Sequence, residues 1–270
     1  MSTAGAAGGT GGGTRACADP DRLGSGMTDD ASAEPDVRAA LDDVTGIGEF
    51  FAATANPAEV VDDSWRPLRE LYTDPGPLAD RIRRVRDALG TSDDRVAASI
   101  AYQGLAARLA SPVVAVAAVH GVLPTWSPDT LHWRPSVVGP WPLWESAERA
   151  VRPVAAELAS SVADALLEPH LAALADATTA VVSVSGRTLR GNAASALVGA
   201  GRMVAGARPG SAGSARHLVA GLLTVPWLDG AGAFGPGWSF RRRSCCLYYR
   251  VPGGGLCGDC VLASRAGGAG

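Results

Sequence analysis

The 270 residues contain no lysine, and all twenty-four basic residues are arginines. That absence excludes a P-loop lysine, a Schiff-base lysine and a Ser–Lys dyad. Aromatic residues make up only 6%, so a core drawn from the 47% hydrophobic content must be built mainly of Ala, Val and Leu. No run approaches the ~20 apolar residues that a membrane helix needs. The most apolar stretch, "PVVAVAAVHGVLPTW", is broken by His120 and Pro124, and no membrane span is expected. The first residues are glycine-rich and lack the apolar centre of a secretory leader. The expectation is a cytoplasmic protein, in a reducing compartment where clustered cysteines bind metal or carry redox chemistry rather than form structural disulfides.

Charge is unevenly placed. From Val181 to Gly270, ten arginines face two acids, Asp229 and Asp259, a balance of +8, whereas the preceding residues carry −11. Either the basic end meets an anionic partner, or the two parts complement each other within one fold. Nucleic acid is not indicated, because the arginines are not interleaved with an aromatic stacking platform.

Most of the chain reads as helix. "PLADRIRRVRDALG" sets Leu78, Ile82, Val85 and Leu89 on one stripe between Pro77 and Gly90. "TSDDRVAASIAYQGLAARLASP" is alanine-rich on all sides, with Ser92 as its candidate cap and Pro112 as its expected stop. "ESAERAVRPVAAELASSVADALLEP" keeps Val151, Val154, Leu158, Val162 and Ala165 in register, and Pro169 ends this helix or starts the next. Two more helices are expected, capped by Thr188 and Ser214. Strands are expected at 130–139 and 180–185, with a loop at "GPWPLWES". The fold class is mainly α with a small β element (α+β).

Two motifs lead nowhere. "GAGAFG" at Gly230, Gly232 and Gly235 matches G-x-G-x-x-G but is followed by Pro236, Gly237 and Trp238 instead of a helix, so it is no dinucleotide site. The histidines His120, His132, His170 and His217 show no metal-ligand spacing; His217, among basic residues, is kept as a candidate substrate contact.

Four of the five cysteines lie within "RRRSCCLYYRVPGGGLCGDCVL", residues 241–262, as Cys245, Cys246, Cys257 and Cys260; Cys17 stands alone in the N-terminal tail. A thiol–disulfide "CGDC" would have to open a helix after a strand, and here it follows a glycine run. Four thiolates suit a tetrahedral zinc or an iron–sulfur cluster, and spacing alone leaves both open.

The string itself resembles the C-terminal signature of the FhuF-like ferric iron (ferric-siderophore) reductase family, C-C-x10-C-x2-C, through its leading arginines, "CCLYYR", glycine turn and "CGDC". Upstream, "LRGNAASAL" is similar to a Leu-Trp-Gly-Asn-type segment of that family, with Arg190 at the tryptophan position. The resemblance implies a 2Fe-2S cluster held by Cys245, Cys246, Cys257 and Cys260, which reduces chelated Fe(III). Residues 1–33, rich in Gly, Ala and Ser and without hydrophobic periodicity, are expected to be a disordered tail, followed by a helix-rich siderophore-binding body at 34–238, a cluster lobe at 239–264 and a flexible end at 265–270.

Arg241, Arg242, Arg243 and Arg250 are expected to attract an anionic chelate, dock an acidic donor or balance the cluster's charge. Tyr248 and Tyr249 are expected to pack around the cluster, and Trp227 and Trp238, which both flank turns, to line the substrate side or cap the core. Backbone N–H groups of Gly253–Gly255 and Gly258 are expected at the sulfurs, and Leu247 and Leu256 over them. The substrate would be a ferric siderophore, hydroxamate type by default. The electron would come from a ferredoxin, a flavodoxin or a flavin reductase, since no flavin or nicotinamide motif is present. The alternative is a non-enzymatic siderophore-binding protein with a structural zinc.

Overall fold

A computed structural model describes residues 36–59, 63–136 and 139–263. The expected tail at 1–33 and flexible end at 265–270 lie outside the described residues. Alanine-rich stretches between proline and glycine stops give, among the described residues, the helices α1 (Val37–Thr45), α2 (Arg69–Thr73), α3 (Pro75–Leu89), α4 (Asp94–His120), α5 (Leu158–Leu166), α6 (Ala173–Val181), α7 (Gly186–Ala207) and α8 (Ala212–Leu222). Helix α3 follows its sequence signals: Asp74 accepts the Gly76 N–H at 2.9 Å, Pro75 opens the first turn, and Gly90 closes it in the left-handed region at φ 59°.

Helix α4 forms the axis, with α7 as its main neighbour and α1, α3, α5, α6 and α8 also packed on it. Its cap is Asp93, which accepts the Arg95 N–H at 3.0 Å, one residue beyond the expected Ser92. The expected stop at Pro112 does not occur. An internal proline costs about 3 kcal/mol, but α4 is buried on nearly every side from Val96 to Ala118, and burial at ~25 cal/mol per Å² outweighs that cost. The resulting 27-residue helix is long and apolar enough to cross a membrane by length and composition, which a cut at Pro112 conceals; 78% of its most apolar window is buried inside the protein.

Other expectations also shift. The strand expected at 180–185 is instead the end of α6 and a short turn, because α6 buries Leu174, Ala175 and Thr178 at helical spacing and α7 begins at Gly186. "GPWPLWES" carries a strand, Leu143–Glu145, whose buried–intermediate–buried alternation is hidden in sequence by the flanking prolines. The helix expected to begin near Glu145 begins at Leu158, with Pro153 intervening. Pro169 sits inside a π-helical turn, Leu167–Ala172, between α5 and α6. Helices α7 and α8 start two residues before the expected caps Thr188 and Ser214.

The strands are short: β1 (Ala53–Thr54), β2 (Arg66–Pro67), β3 (Leu123–Pro124), β4 (Leu131–Trp133), β5 (Leu143–Glu145), β6 (Ala150–Val151), β7 (Gly232–Phe234) and β8 (Phe240–Arg242). One sheet has the order β1-β5-β4-β2, parallel only at β1–β5; β3 pairs with β6 and β7 with β8, both antiparallel. Buried Arg108 of α4 ties this sheet's margin to the helices by donating to the carbonyls of Trp141 at 2.6 Å, Phe50 at 3.0 Å and Ala52.

His170, fully buried in the π-helical turn, meets the Tyr72 hydroxyl at 3.0 Å through Nδ1. Burial lowers its pKa to about 4, below the ~6.5 of an unfolded chain. The folded protein therefore binds fewer protons than the unfolded one across this window. Stability is complete above pH ~6.5 and falls as pH drops towards 4, by up to about 3 kcal/mol. Denaturant unfolding of His170→Gln over that range is expected to show a flatter pH slope; an unchanged slope contradicts the assignment.

Candidate metal centre

The cysteine segment is mounted on the β7–β8 hairpin, where Gly232 faces Arg242, Ala233 faces Arg241 and Phe234 faces Phe240. Gly232 admits the Phe240 ring, which would lie 2.4 Å from an added Cβ. The glycines of "GAGAFG" are thus strand and turn, and no helix follows for a dinucleotide. Strand alternation sends neighbouring arginines opposite ways: Arg241 is exposed, Arg242 buried and Arg243 exposed.

All four cysteines of the segment are free thiols, with Cys246 and Cys260 buried and Cys245 and Cys257 half-buried. The Sγ atoms of Cys246 and Cys257 stand 3.5 Å apart. Two ligands on one tetrahedral metal, with bonds of about 2.3 Å, stand roughly 3.7 Å apart, so this pair is spaced to share one metal. Among the described residues no three His, Cys, Asp or Glu side chains close around a single ion. A binuclear cluster divides four ligands between two irons and asks only for pairs.

Backbone donors to sulfur are Leu247 N–H to Cys245 at 3.3 Å and Leu262 N–H to Cys260 at 3.4 Å, where the glycines had been expected. Leu247 reaches this geometry through a left-handed φ of 68°, a strained state for a branched side chain. The glycine run serves the turn instead. Gly253 has φ 69°, and a Cβ on Gly254 would meet the Tyr248 carbonyl at 2.8 Å. Leu256, expected over the cluster, is 48% exposed. Burial pushes the Cys245 thiol up and the neighbouring Cys246 and Cys260 add to this, while the Leu247 N–H and Arg242 oppose it. Cys257 is likewise pushed up by burial, then by Cys246 and Asp259.

Beneath the cysteines lies a buried polar network. The Arg242 side chain is 0% exposed and pairs through Nε with Asp259 Oδ2 at 2.9 Å. Its Nη2 donates to Asn192 Oδ1 at 2.8 Å and to Gln103 Oε1 at 3.3 Å. Asn192 donates to the Ser99 carbonyl and hydroxyl at 2.7 and 2.9 Å, and Ser99 donates to the Cys246 carbonyl at 2.7 Å. Ser195 donates to Asp259. Burial raises the Asp259 carboxyl, but Arg242, Ser195 and Cys257 together hold it below the usual carboxylate range. One nitrogen of Arg242, Nη1, is buried without a protein partner. A buried cation with a spare N–H beside four thiols fits a resident anionic group, as a thiolate-held iron–sulfur centre is.

Against this network opens a cavity of about 900 Å³. Its walls are the Ser195–Met203 face of α7, Gln103, Ala107 and Ser111 of α4, Phe50, the β7–β8 hairpin and Cys257–Asp259. Phe234 and Trp238 face each other with ring centroids 5.6 Å apart. The Trp238 ring fits because Gly201 has no Cβ to meet it at 2.7 Å.

The structure distributes the remaining expected residues. Arg241 lines the cavity, as does Trp238. Arg242, expected to face substrate, is enclosed by its internal partners. Arg243 lines a separate recess with Arg187 and Arg190. Arg250 pairs with Asp93 at 2.8 Å. His217 is exposed on α8 and is not among the cavity's walls. Trp227 packs on the core, Tyr248 is half-buried and Tyr249 is 49% exposed. Ser99, Gln103, Asn192, Ser195, Arg202 and Asp259 were not anticipated. Two of them carried a signal: Asp259 inside "CGDC", and Asn192 inside "LRGNAASAL", where Gly191 also leaves room for the Ser244 hydroxyl that an added Cβ would meet.

Asp259→Asn removes the charge that pairs buried Arg242, and is expected to destabilise the protein by about 3–5 kcal/mol, read by denaturant unfolding. Gly191→Ala is expected to lift Ser244 and the cysteine strand from α7 and to lower cluster content. Wild-type stability and cluster content in both variants would refute the coupling.

No curated protein matches the chain. Residues 242–262 match the family model of the FhuF 2Fe-2S C-terminal domain. The matched stretch holds all four cysteines together with Arg242 and Asp259, the ion pair beneath them. Through this segment the chain is FhuF-like, and its cofactor is a 2Fe-2S cluster.

Proposed function

We propose that the protein is a cytoplasmic ferric-siderophore reductase in which Cys245, Cys246, Cys257 and Cys260 hold the cluster. The observation that carries this reading is the position of Cys257. It belongs to the cluster segment and also forms part of the wall of the 900 Å³ cavity, a volume within the range of small-molecule sites. When bound, the cluster supplies a one-electron carrier whose potential in the plant-type case is about −400 mV.

The chain's own residues do the rest. Phe50, Phe234, Trp238 and Phe240 offer apolar faces to the organic part of a chelate. Arg241, held by its bond to the Cys260 carbonyl at 3.3 Å, adds positive charge at the wall. Arg242 and Asp259 keep the cysteine loops fixed while charge changes beside them. Siderophores hold Fe(III) by hard oxygen donors. One electron yields Fe(II), for which those donors have lower affinity, and the freed oxygens take protons from solvent. The electron is replaced by an external carrier of the ferredoxin or flavodoxin type, or by a flavin reductase. The cytoplasm suits the four free thiols, which must stay reduced until metal is inserted.

Reduced protein mixed with a ferric hydroxamate and an Fe(II) trap is expected to deliver one Fe(II) per cluster in a single turnover. Cys246→Ser is expected to lose cluster and reduction together. Full reduction by that variant would sink the ligand assignment, and failure of the reduced wild type with any ferric chelate would sink the reductase reading.

A further inference from the structure

On the reductase reading, a ferric chelate in the cavity beside Cys257 would cover that side of the cysteine segment and leave another side to the electron donor. A recess of about 320 Å³ lies at the other end of the same segment, at Ser244, next to Cys245. It is formed by Arg187 and Arg190 of α7 and by Arg243, with Asp229 as its one acid. It shares no lining residue with the cavity.

All three arginines are exposed, and among the described residues no ion pair joins them to a carboxylate. Several other arginines do pair with carboxylates, among them Arg38 with Glu148, Arg69 with Asp129, Arg83 with Asp80, Arg208 with Asp43 and Arg250 with Asp93, whereas exposed Arg84, Arg95, Arg149 and Arg202 share the recess arginines' lack of one among the described residues. Three like charges gathered around one acid leave the recess positive, a field that favours an acidic surface. The recess is also fixed relative to the cysteines. Ser244 Oγ donates to the Arg187 carbonyl at 2.8 Å, and the Arg243 N–H donates to Ala231 O at 2.9 Å.

We propose that this recess is the docking surface for the electron donor, an acidic one-electron carrier protein, so that electrons enter on the Cys245 side and leave on the Cys257 side. The proposal takes its purpose from the reductase reading. The step is a single-electron exchange: the reduced carrier is oxidised, the cluster is reduced, and no bond is made or broken.

The test uses the holoprotein in stopped flow with a photoreduced acidic ferredoxin as the probe donor. The second-order rate of cluster reduction is expected to fall steeply with salt. Arg187→Gln/Arg190→Gln is expected to lower it ~tenfold or more at low ionic strength and to flatten the salt dependence. The cluster spectrum and reduction by dithionite serve as controls and are expected to match wild type. An unchanged rate and salt slope overturns the proposal. So does a loss of donor rate on Leu256→Asp with the arginine variant unaffected, since donors would then dock on the other exposed side. If the donor results stand but reduced protein passes no electron to any ferric chelate, the docking assignment survives and the reductase reading fails.

Discussion

The buried guanidinium of Arg242 joins three parts of the molecule: the cysteine loop through Asp259, α7 through Asn192 and α4 through Gln103. Removing a charge from water costs several kcal/mol and is sustained only where hydrogen bonds and a counter-charge surround it. Four polar side chains from distant stretches of chain are committed to that one cation or its partner. The cysteine segment consequently rests on the two longest helices, although it has only a two-stranded ribbon and short turns of its own. Ser99 extends the same chain of bonds to the backbone of Cys246. Cluster geometry and helix packing are therefore coupled through a network in which Arg242 Nη1 is left without a protein partner.

That coupling also orders the surroundings of the cysteines. Helix α7 presents Arg187 and Arg190 at its start and the cavity wall from Ser195 onward, and the cysteine segment lies across it. A single helix thus lines both the charged recess and the cavity beside the cysteine segment. The basic character of the C-terminal third resolves into distinct roles. Arg242 is a buried structural charge, Arg250 and Arg208 complement acids of the N-terminal part, and Arg187, Arg190 and Arg243 remain available to a partner.

The cysteine string was legible in sequence because adjacent cysteines, a glycine turn and C-x-x-C rarely coincide, and α3 was legible because its stripe and caps are local signals. The length of α4 was not, because Pro112 looks like a stop unless the burial around it is known. Three consecutive arginines look equivalent in sequence; only the alternation of β8 separates Arg242 from Arg241 and Arg243. Gln103, Ser99 and Ser195 are single polar residues in alanine-rich helices. Their partners lie tens of residues away, so nothing local marks them. The cavity was invisible for the same reason, being made of hairpin, helix and loop residues that meet only in the fold.

The most direct test is the composition and colour of protein purified without oxygen. Iron and zinc would be counted on the sample whose visible spectrum is recorded before and after dithionite. The account predicts two irons per chain and a visible absorption that dithionite bleaches. A colourless protein with one zinc per chain would contradict it, leaving a binding protein whose cysteines are a structural clasp.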